Sequence, residues 1–410
     1  GVIRPAEVDD VLIPDGAITE VNNFHFDRKG VAMLRLGMAT LGSTVNTTTG
    51  ATCFGLHNAQ NSTMAVAFSF GSTVAIYRYN GSSWVLLSNN MASSASVRFA
   101  DFANRTIIVN GEYDSIRVWS GSTVNVVTSG NPINSNQFAS DATVNTQTLR
   151  AKYVEVYKSR VYLAGDPTSP DRLFYSAVIN SAGNLSWTPS TDFVDINPSD
   201  GENITGLKRF SLELVVFKPN YMYRFRTSGV DPDPLIKIGT RSQESIIEGK
   251  KGLYFHHDTG FYKYAGGYPI EISRPISDFI DAISYSQYDS ICAWKDADHI
   301  YWSIGNVTIS EPKENVTWKN VVLRYTESSE IWTIYSYPSD IRRGSDYNSG
   351  SALSRVVGLD NGVVATLNSG NLDLNEPIKY RLVTKWYEWD GGWNRKVIQS
   401  IIALCEKAQG

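Results

Sequence analysis

The stretch YVEVYKSRVYLAGDPTSPDRLFYS, residues 153–176, carries the repeating design of the chain. YVEVY is built from β-branched and aromatic residues, which suit a pleated, half-buried surface. KSR breaks that pattern as a tight turn, and VYLAG resumes it. Along Val161-Tyr162-Leu163-Ala164, alternate side chains must face opposite sides of a sheet. A short polar gap follows, and then an aromatic-rich third strand, RLFYS.

The same unit returns along the chain. MAVAFSF, GST and VAIYRY fill 64–79; VRFAD, ANR, TIIVN and SIRVW fill 97–119. ITGLKRF, SLE, LVVFK and YMYRF occupy 204–225, and IIEGK, KG, LYFHH and GFYKY occupy 246–264. ICAWK, DAD and HIYWS lie at 291–302, with VVLRY at 321–325, and RVVGL, DNG and VVATL close the series at 355–367. A spacing of roughly 40–60 residues is that of propeller blades rather than of solenoid repeats. Near-continuous apolar runs such as Leu214-Val215-Val216-Phe217 fit blades buried on both faces. Asn80-Gly81, Asp258-Thr259-Gly260 and Asp360-Asn361-Gly362 supply turn residues that tolerate positive φ.

The expected fold is therefore all-β: a single β-propeller of six or seven blades with N- and C-terminal extensions. Residues 1–30 read as an N-terminal arm, 31–377 as the propeller, and 378–410 as C-terminal strands that either close the propeller or pack on a neighbour. Residues 31–41 (VAMLRLGMATL) read as a strand completing the last blade. Residues 120–150, rich in Ser, Thr and Asn, read as a long surface loop. Only 274–284 (RPISDFIDAIS) has helical spacing, through Ile276, Phe279, Ile280 and Ile283.

Composition agrees. Hydrophobic residues make up 42% and aromatics 12%, enough for a large core, while charged residues are only 19%. The net charge of −4 gives no global attraction to nucleic acid or to an anionic membrane. Three widely spaced cysteines, Cys53, Cys292 and Cys405, do not make a disulfide framework and read as small buried hydrophobes. No run reaches the roughly 18 apolar residues of a membrane span, and no signal peptide is visible. Because the chain begins at Gly1 rather than Met, a missing or processed N-terminal piece is expected.

Chemistry is sparse. There is no nucleophile elbow, zinc-binding helix or phosphate loop. Of the five histidines (His25, His57, His256, His257 and His299), the run His256-His257-Asp258 is the best metal or acid–base candidate. Neighbours on a strand point to opposite faces, so this run reads as a hairpin tip. Asp231-Pro232-Asp233-Pro234 reads as a rigid exposed loop, and Asp296/Asp298 as a hairpin turn. Asn180–Trp187 differs from a sialidase Asp-box in spacing. Trp386, Trp389 and Trp393 read as a hairpin with aromatic cross-strand pairs, glycan stacking being the functional alternative. No catalytic, metal or cofactor residues are assigned, and no enzymatic activity is expected.

Four segments resemble a family of tailed-bacteriophage virion proteins, the propeller-containing head-to-tail stabilisation or tail-hub proteins of the neck. They are PDGAITEVNNFHFDRKGVAMLRLG (14–37), with its Asn and Arg-x-Gly ending; YVEVYKSRVYLAGDPTSPDRLFYSAV (153–178), with a Pro-x-Arg-like crossing; DGENITGLKRFSLELVVFKPNYMYRF (200–225); and SIIEGKKGLYFHHDTGFYKYAGGYPIEISRPI (245–276). IKYRLVTKWYEW (378–389) fits the family's exit strands, whereas a clear extra C-terminal domain is missing.

The resemblance implies a structural virion protein at the portal/adaptor–tail junction, made in the host cytoplasm. It would form a homo-oligomeric ring that contacts portal or adaptor and tail components, with DNA only passing through a channel. The arm residues Val2, Ile3, Val11, Leu12 and Ile13 are the candidate interface, because apolar side chains are costly to leave in water. The alternatives are a carbohydrate- or receptor-binding propeller on the tail and a glycosidase-like propeller. A cluster of arginines and carboxylates at the central mouth would favour the glycosidase.

Overall fold

The computed structural model describes residues 18–26, 32–45, 51–59, 63–70, 73–92, 96–111, 114, 116–121, 124–126, 132–133, 136–137, 150–178, 191–198, 200–225, 233–310, 315–349 and 352–384. Among these, seven sheets, each with four antiparallel strands, follow one another round a ring, a seven-blade β-propeller. Their innermost strands are Cys53–Ala59, Arg98–Phe102, Tyr153–Tyr157, Gly206–Phe210, Ile247–Glu248, Cys292–Asp296 and Ile341–Asn348, for blades 1 to 7 in that order. Each recurring unit of the sequence falls in one blade.

The hairpins form where the sequence places them. Tyr153–Tyr157 pairs with Arg160–Asp166 through Lys158 and Ser159, both at positive φ (44° and 58°), the geometry that matches the twist of flanking strands. Strand alternation then divides the side chains between two neighbours. Val161 and Leu163 pack toward blade 2, while Tyr162 and Ala164 pack toward blade 4. The same division at every blade gives one apolar cluster for each of the seven blade interfaces. The cluster joining blade 7 to blade 1, with Val356 and Val364 against Cys53, Met64 and Phe68, shows that the ring is closed.

Closure comes from the N-terminal side. Met38–Thr40 is the fourth strand of blade 7, pairing with Val364–Leu367. The expected closing strand at 31–41 is thus Met38–Thr40 alone, since Ala32–Leu34 pairs instead with Phe24–Phe26 as a separate hairpin. Blade 6 is extended outward by two strands. Ile18–Asn22 follows its fourth strand, Ile331–Ser336, and Arg381–Thr384 lies outermost.

Two expectations need correction. Residues 120–150 are not wholly loop: Val124–Val126 is the outer strand of blade 2, because its Val-x-Val alternation completes the sheet against Arg117–Trp119. Asp233 belongs to the outer strand of blade 4, Asp233–Ile236, not to a loop; an edge position tolerates Pro234, which has no N–H to give. The helix expected over 274–284 is a 3-10 turn, Arg274–Ile276, followed by a short α-helix, Ser277–Asp281, which buries Phe279 and Ile280.

Candidate functional site

Three ionic groups stand out, the first half-buried and the other two built on a buried cation, and none was legible as a site in the sequence. The first lies on the propeller axis. Arg98 opens the inner strand of blade 2, Arg343 sits near the start of the inner strand of blade 7, and Glu244 precedes the inner strand of blade 5. Residues from blades so far apart in a ring meet only across the central channel. Arg98 Nε lies 2.8 Å from Glu244 Oε1, and Arg98 Nη2 donates to Oε2 at 3.1 Å. Arg343 Nη2 is 3.8 Å from the same carboxylate and donates to Ser96 Oγ at 2.7 Å, while Arg98 Nη1 donates to the Lys152 carbonyl. Burial works against the charge of Glu244, but the Arg98 and Arg343 guanidinium groups prevail and hold its carboxyl below the usual range. It is an ionised tie across the channel, not a proton donor.

The second group joins blades 3 and 4. Lys218 is fully buried, and its Nζ donates to Asp171 Oδ1 at 3.0 Å, Asp200 Oδ1 at 2.7 Å and the Asn197 carbonyl at 3.2 Å. Tyr223 donates to Asp200 as well. Burial opposes the charge of Asp200, but Lys218, the Glu202 N–H and Tyr223 hold its carboxyl below the ordinary value. Asp171 comes from the PDR crossing, Asp200 from the DGENIT stretch, and Lys218 and Tyr223 from FKPNYMY, so these sequence features serve an inter-blade lock.

The third group clasps the termini. Arg35 is buried and forks onto the Asp373 carboxylate while lying over the Tyr337 ring. Its Nε donates to Asn23 Oδ1 at 2.7 Å and its Nη2 to the Ser336 carbonyl at 2.7 Å. Asn23 in turn donates to the Lys379 carbonyl. Gly37 follows, with no room for a side chain: a Cβ there would stand 2.0 Å from the Leu372 carbonyl oxygen. The Asn and the Arg-x-Gly of the 14–37 segment are thus the parts that clip the N-terminal hairpin to blades 6 and 7.

Beside this clasp a groove of about 400 Å³ runs along the outer side of blade 6, lined by Asn22, Trp318, Lys319, Glu376, Lys379 and Arg381 among others. Exposed apolar side chains gather at the same edge: Met33, Leu34, Leu36, Leu372, Tyr380 and Leu382, each 36–49% exposed.

His256 and His257 occupy a hairpin tip, as the sequence suggests. His256 packs against Phe261 and Tyr288 on the side of blade 6, and burial pushes its pKa down to about 3. His257 faces the other way, beside Tyr262, with Nδ1 2.9 Å from Thr259 Oγ1. Asp258 pairs with Arg241 at 3.0 Å rather than capping its own turn. Among the described residues no group of His, Cys, Asp and Glu is placed to hold a metal ion. Asp296 and Asp298 lie at the blade 6 turn, Asp296 paired with Arg355 and Asp298 with Lys250. His57 pairs with Asp101, His25 meets Tyr335, and His299 meets Arg324. Val2, Ile3, Val11, Leu12, Ile13, Asn180–Trp187, Asp231, Trp386, Trp389, Trp393 and Cys405 lie outside the described residues.

No protein-family model matches the chain, and no curated protein matches its sequence. Solved structures do share its fold. A catalytically inactive virginiamycin B lyase from Staphylococcus aureus, solved with quinupristin, is similar over 81% of this chain and 98% of its own, at 11% identity and a TM-score of 0.50. YCF48 from Cyanidioschyzon merolae is similar over 79% and 98%, at 10% identity and a TM-score of 0.46. At such identities the likeness is one of fold. No helix among the described residues is long and apolar enough to cross a membrane.

Proposed function

We propose that this chain is a non-enzymatic assembly protein, a propeller that forms part of a ring-shaped hub at the portal/adaptor–tail junction of a tailed-phage virion. The observation that carries the reading is the outer edge of blade 6. There the strands Ile18–Asn22 and Arg381–Thr384 pair at the rim, beside an apolar surface and away from the axial mouth. A propeller that holds Ile18 beside Thr384 at an exposed apolar edge is suited to gripping neighbours there. The four resembling segments supply the place in the virion, and the near-neutral charge suits packing on proteins more than gripping DNA. The test is the mass of the purified chain, together with the identity of its neighbours in intact particles. A ring-forming oligomer touching portal or adaptor proteins is expected; single copies at a distal fibre tip would overturn the role.

A second reading, a glycosidase-like propeller, is favoured by one observation: two arginines and a carboxylate from blades 2, 5 and 7 do converge. Against catalysis, Glu244 is consumed by its arginine partners. Hydrolysis of sialosides or aryl glycosides by the purified chain, abolished by one carboxylate substitution, would establish the second reading.

A further inference from the structure

We propose that Arg98 and Arg343 form a receptor for a carboxylate group, at the end of the channel where the inner strands begin, and that Glu244 is its occupant in cis. A carboxylate brought by a ligand takes the same place when the Glu244 side chain withdraws. The site does not rest on the assembly reading.

Both guanidinium groups are held in position without Glu244. Arg343 donates from Nε to the Phe54 carbonyl at 3.1 Å, from Nη1 to the Arg342 carbonyl at 2.6 Å and from Nη2 to Ser96 Oγ at 2.7 Å. Arg98 donates from Nη1 to the Lys152 carbonyl at 2.9 Å and lies over the Tyr153 ring, 4.6 Å from its centre. Two planar forks fixed in this way lose little freedom when an anion arrives.

Glu244 fills this receptor imperfectly. It accepts from Arg98 Nη2 at 3.1 Å. Its Oε1 stands 2.8 Å from Arg98 Nε but off the line of that N–H, which finds no acceptor among the described residues. Arg343 Nη2 stays 3.8 Å away, an ion-pair distance without a hydrogen bond. Two cations thus face one carboxylate. The other charges at this end do not alter that balance, since Arg342 pairs with Asp340, and Asp289 and Lys152 act on each other.

The site is reachable, and its occupant is free to leave. The side chains of Arg98, Glu244 and Arg343 keep 16%, 11% and 12% of their surface exposed. Glu244 rides on the turn Gln243–Ser245, which is pinned independently. Gln243 bonds the N–H and the carbonyl of Leu207, and Trp302 Nε1 donates to the Ser245 carbonyl. The Glu244 side chain can therefore withdraw without unfolding the turn. A carboxylate is the ligand class because the group already seated on both arginines is one.

The test vacates the receptor in the full chain with Glu244→Ala. The melting temperature of that variant should rise saturably with sodium acetate, with a Kd of about 10 mM, against sodium chloride at the same ionic strength. Wild type, in which Glu244 competes, should bind acetate about tenfold more weakly. Glu244→Ala/Arg343→Gln should lose the effect. A capped Gly-Glu-Gly peptide is the second arm. Stabilisation equal to that by acetate assigns the site to an acidic side chain of a partner; stabilisation by acetate alone assigns it to a free small carboxylate. No acetate effect on Glu244→Ala, an equal effect on wild type, or an effect of phosphate but not of acetate overturns the proposal. If Glu244→Ala does not fold in chloride, its refolding yield in acetate against chloride is the readout, and equal yields overturn the proposal.

Discussion

Buried His256 and half-buried Glu244 both contribute to the acid limit of this fold. The ring of His256 is enclosed by Phe261 and Tyr288, and neither nitrogen finds a hydrogen-bond partner among the described residues. Its pKa falls from the ordinary 6.5 to about 3 because burial disfavours the imidazolium, aided by His257. Between those values the unfolded chain takes up a proton that the folded chain refuses, so stability falls as pH drops from about 6.5. His256→Phe should therefore raise the melting temperature more at pH 5 than at pH 7.5, read by scanning calorimetry. Glu244 acts lower on the scale. Its folded pKa is depressed, so its contribution is fully present above the unfolded value of about 4.3 and is lost as pH falls through the folded one. Glu244→Gln leaves Arg98 and Arg343 facing each other without their counter-charge. It should cost about 3 kcal/mol at pH 7 in urea unfolding and flatten the acid limb below pH 4.

At the scale of the element, Met38–Thr40 decides whether the ring holds. Met38 is buried among Trp294, Tyr335 and Val357, and its strand joins the N-terminal part of the chain to the last blade. Met38→Asp places an unpaired carboxylate in that layer and should destabilise by more than about 3 kcal/mol, measured by urea denaturation. Gly37→Ala probes the neighbouring contact without adding charge. Its methyl would meet the Leu372 carbonyl at 2.0 Å, so the hairpin containing Leu372 must move. The expected signature is faster amide hydrogen exchange confined to 32–45 and 370–382, with the other blades unchanged.

For the whole molecule, closure makes the seven blades one cooperative unit. Each blade interface is an apolar layer, and the one between blades 7 and 1 exists only when distant parts of the chain have met. Removing residues 1–41 takes away the closing strand and leaves Val364–Leu367 as an edge. Limited proteolysis should then begin in blade 7, and the single thermal transition of the intact chain should broaden or split. A truncated chain that melts as one sharp transition at the original temperature would show that closure contributes little.

Much of this was readable in the residues. The hairpin units of 64–79 through 355–367 placed every blade, because alternation and turn chemistry act over a few residues and are written locally. The hairpin-tip reading of His256-His257-Asp258 followed from the same local rule. What the sequence could not show were meetings between residues remote in the chain. Lys218 reaches Asp171 only when blades 3 and 4 pack, and Arg35 reaches Asp373 and Arg98 reaches Glu244 only once the ring has closed. Such an ion pair leaves no periodic trace, since each partner occupies one position whose neighbour is chosen by the fold. The blade number and the division of residues 31–41 between a hairpin and a closing strand were decided in the same way. They depend on which strand finds an unfilled sheet edge, which is a property of the closed ring rather than of any segment.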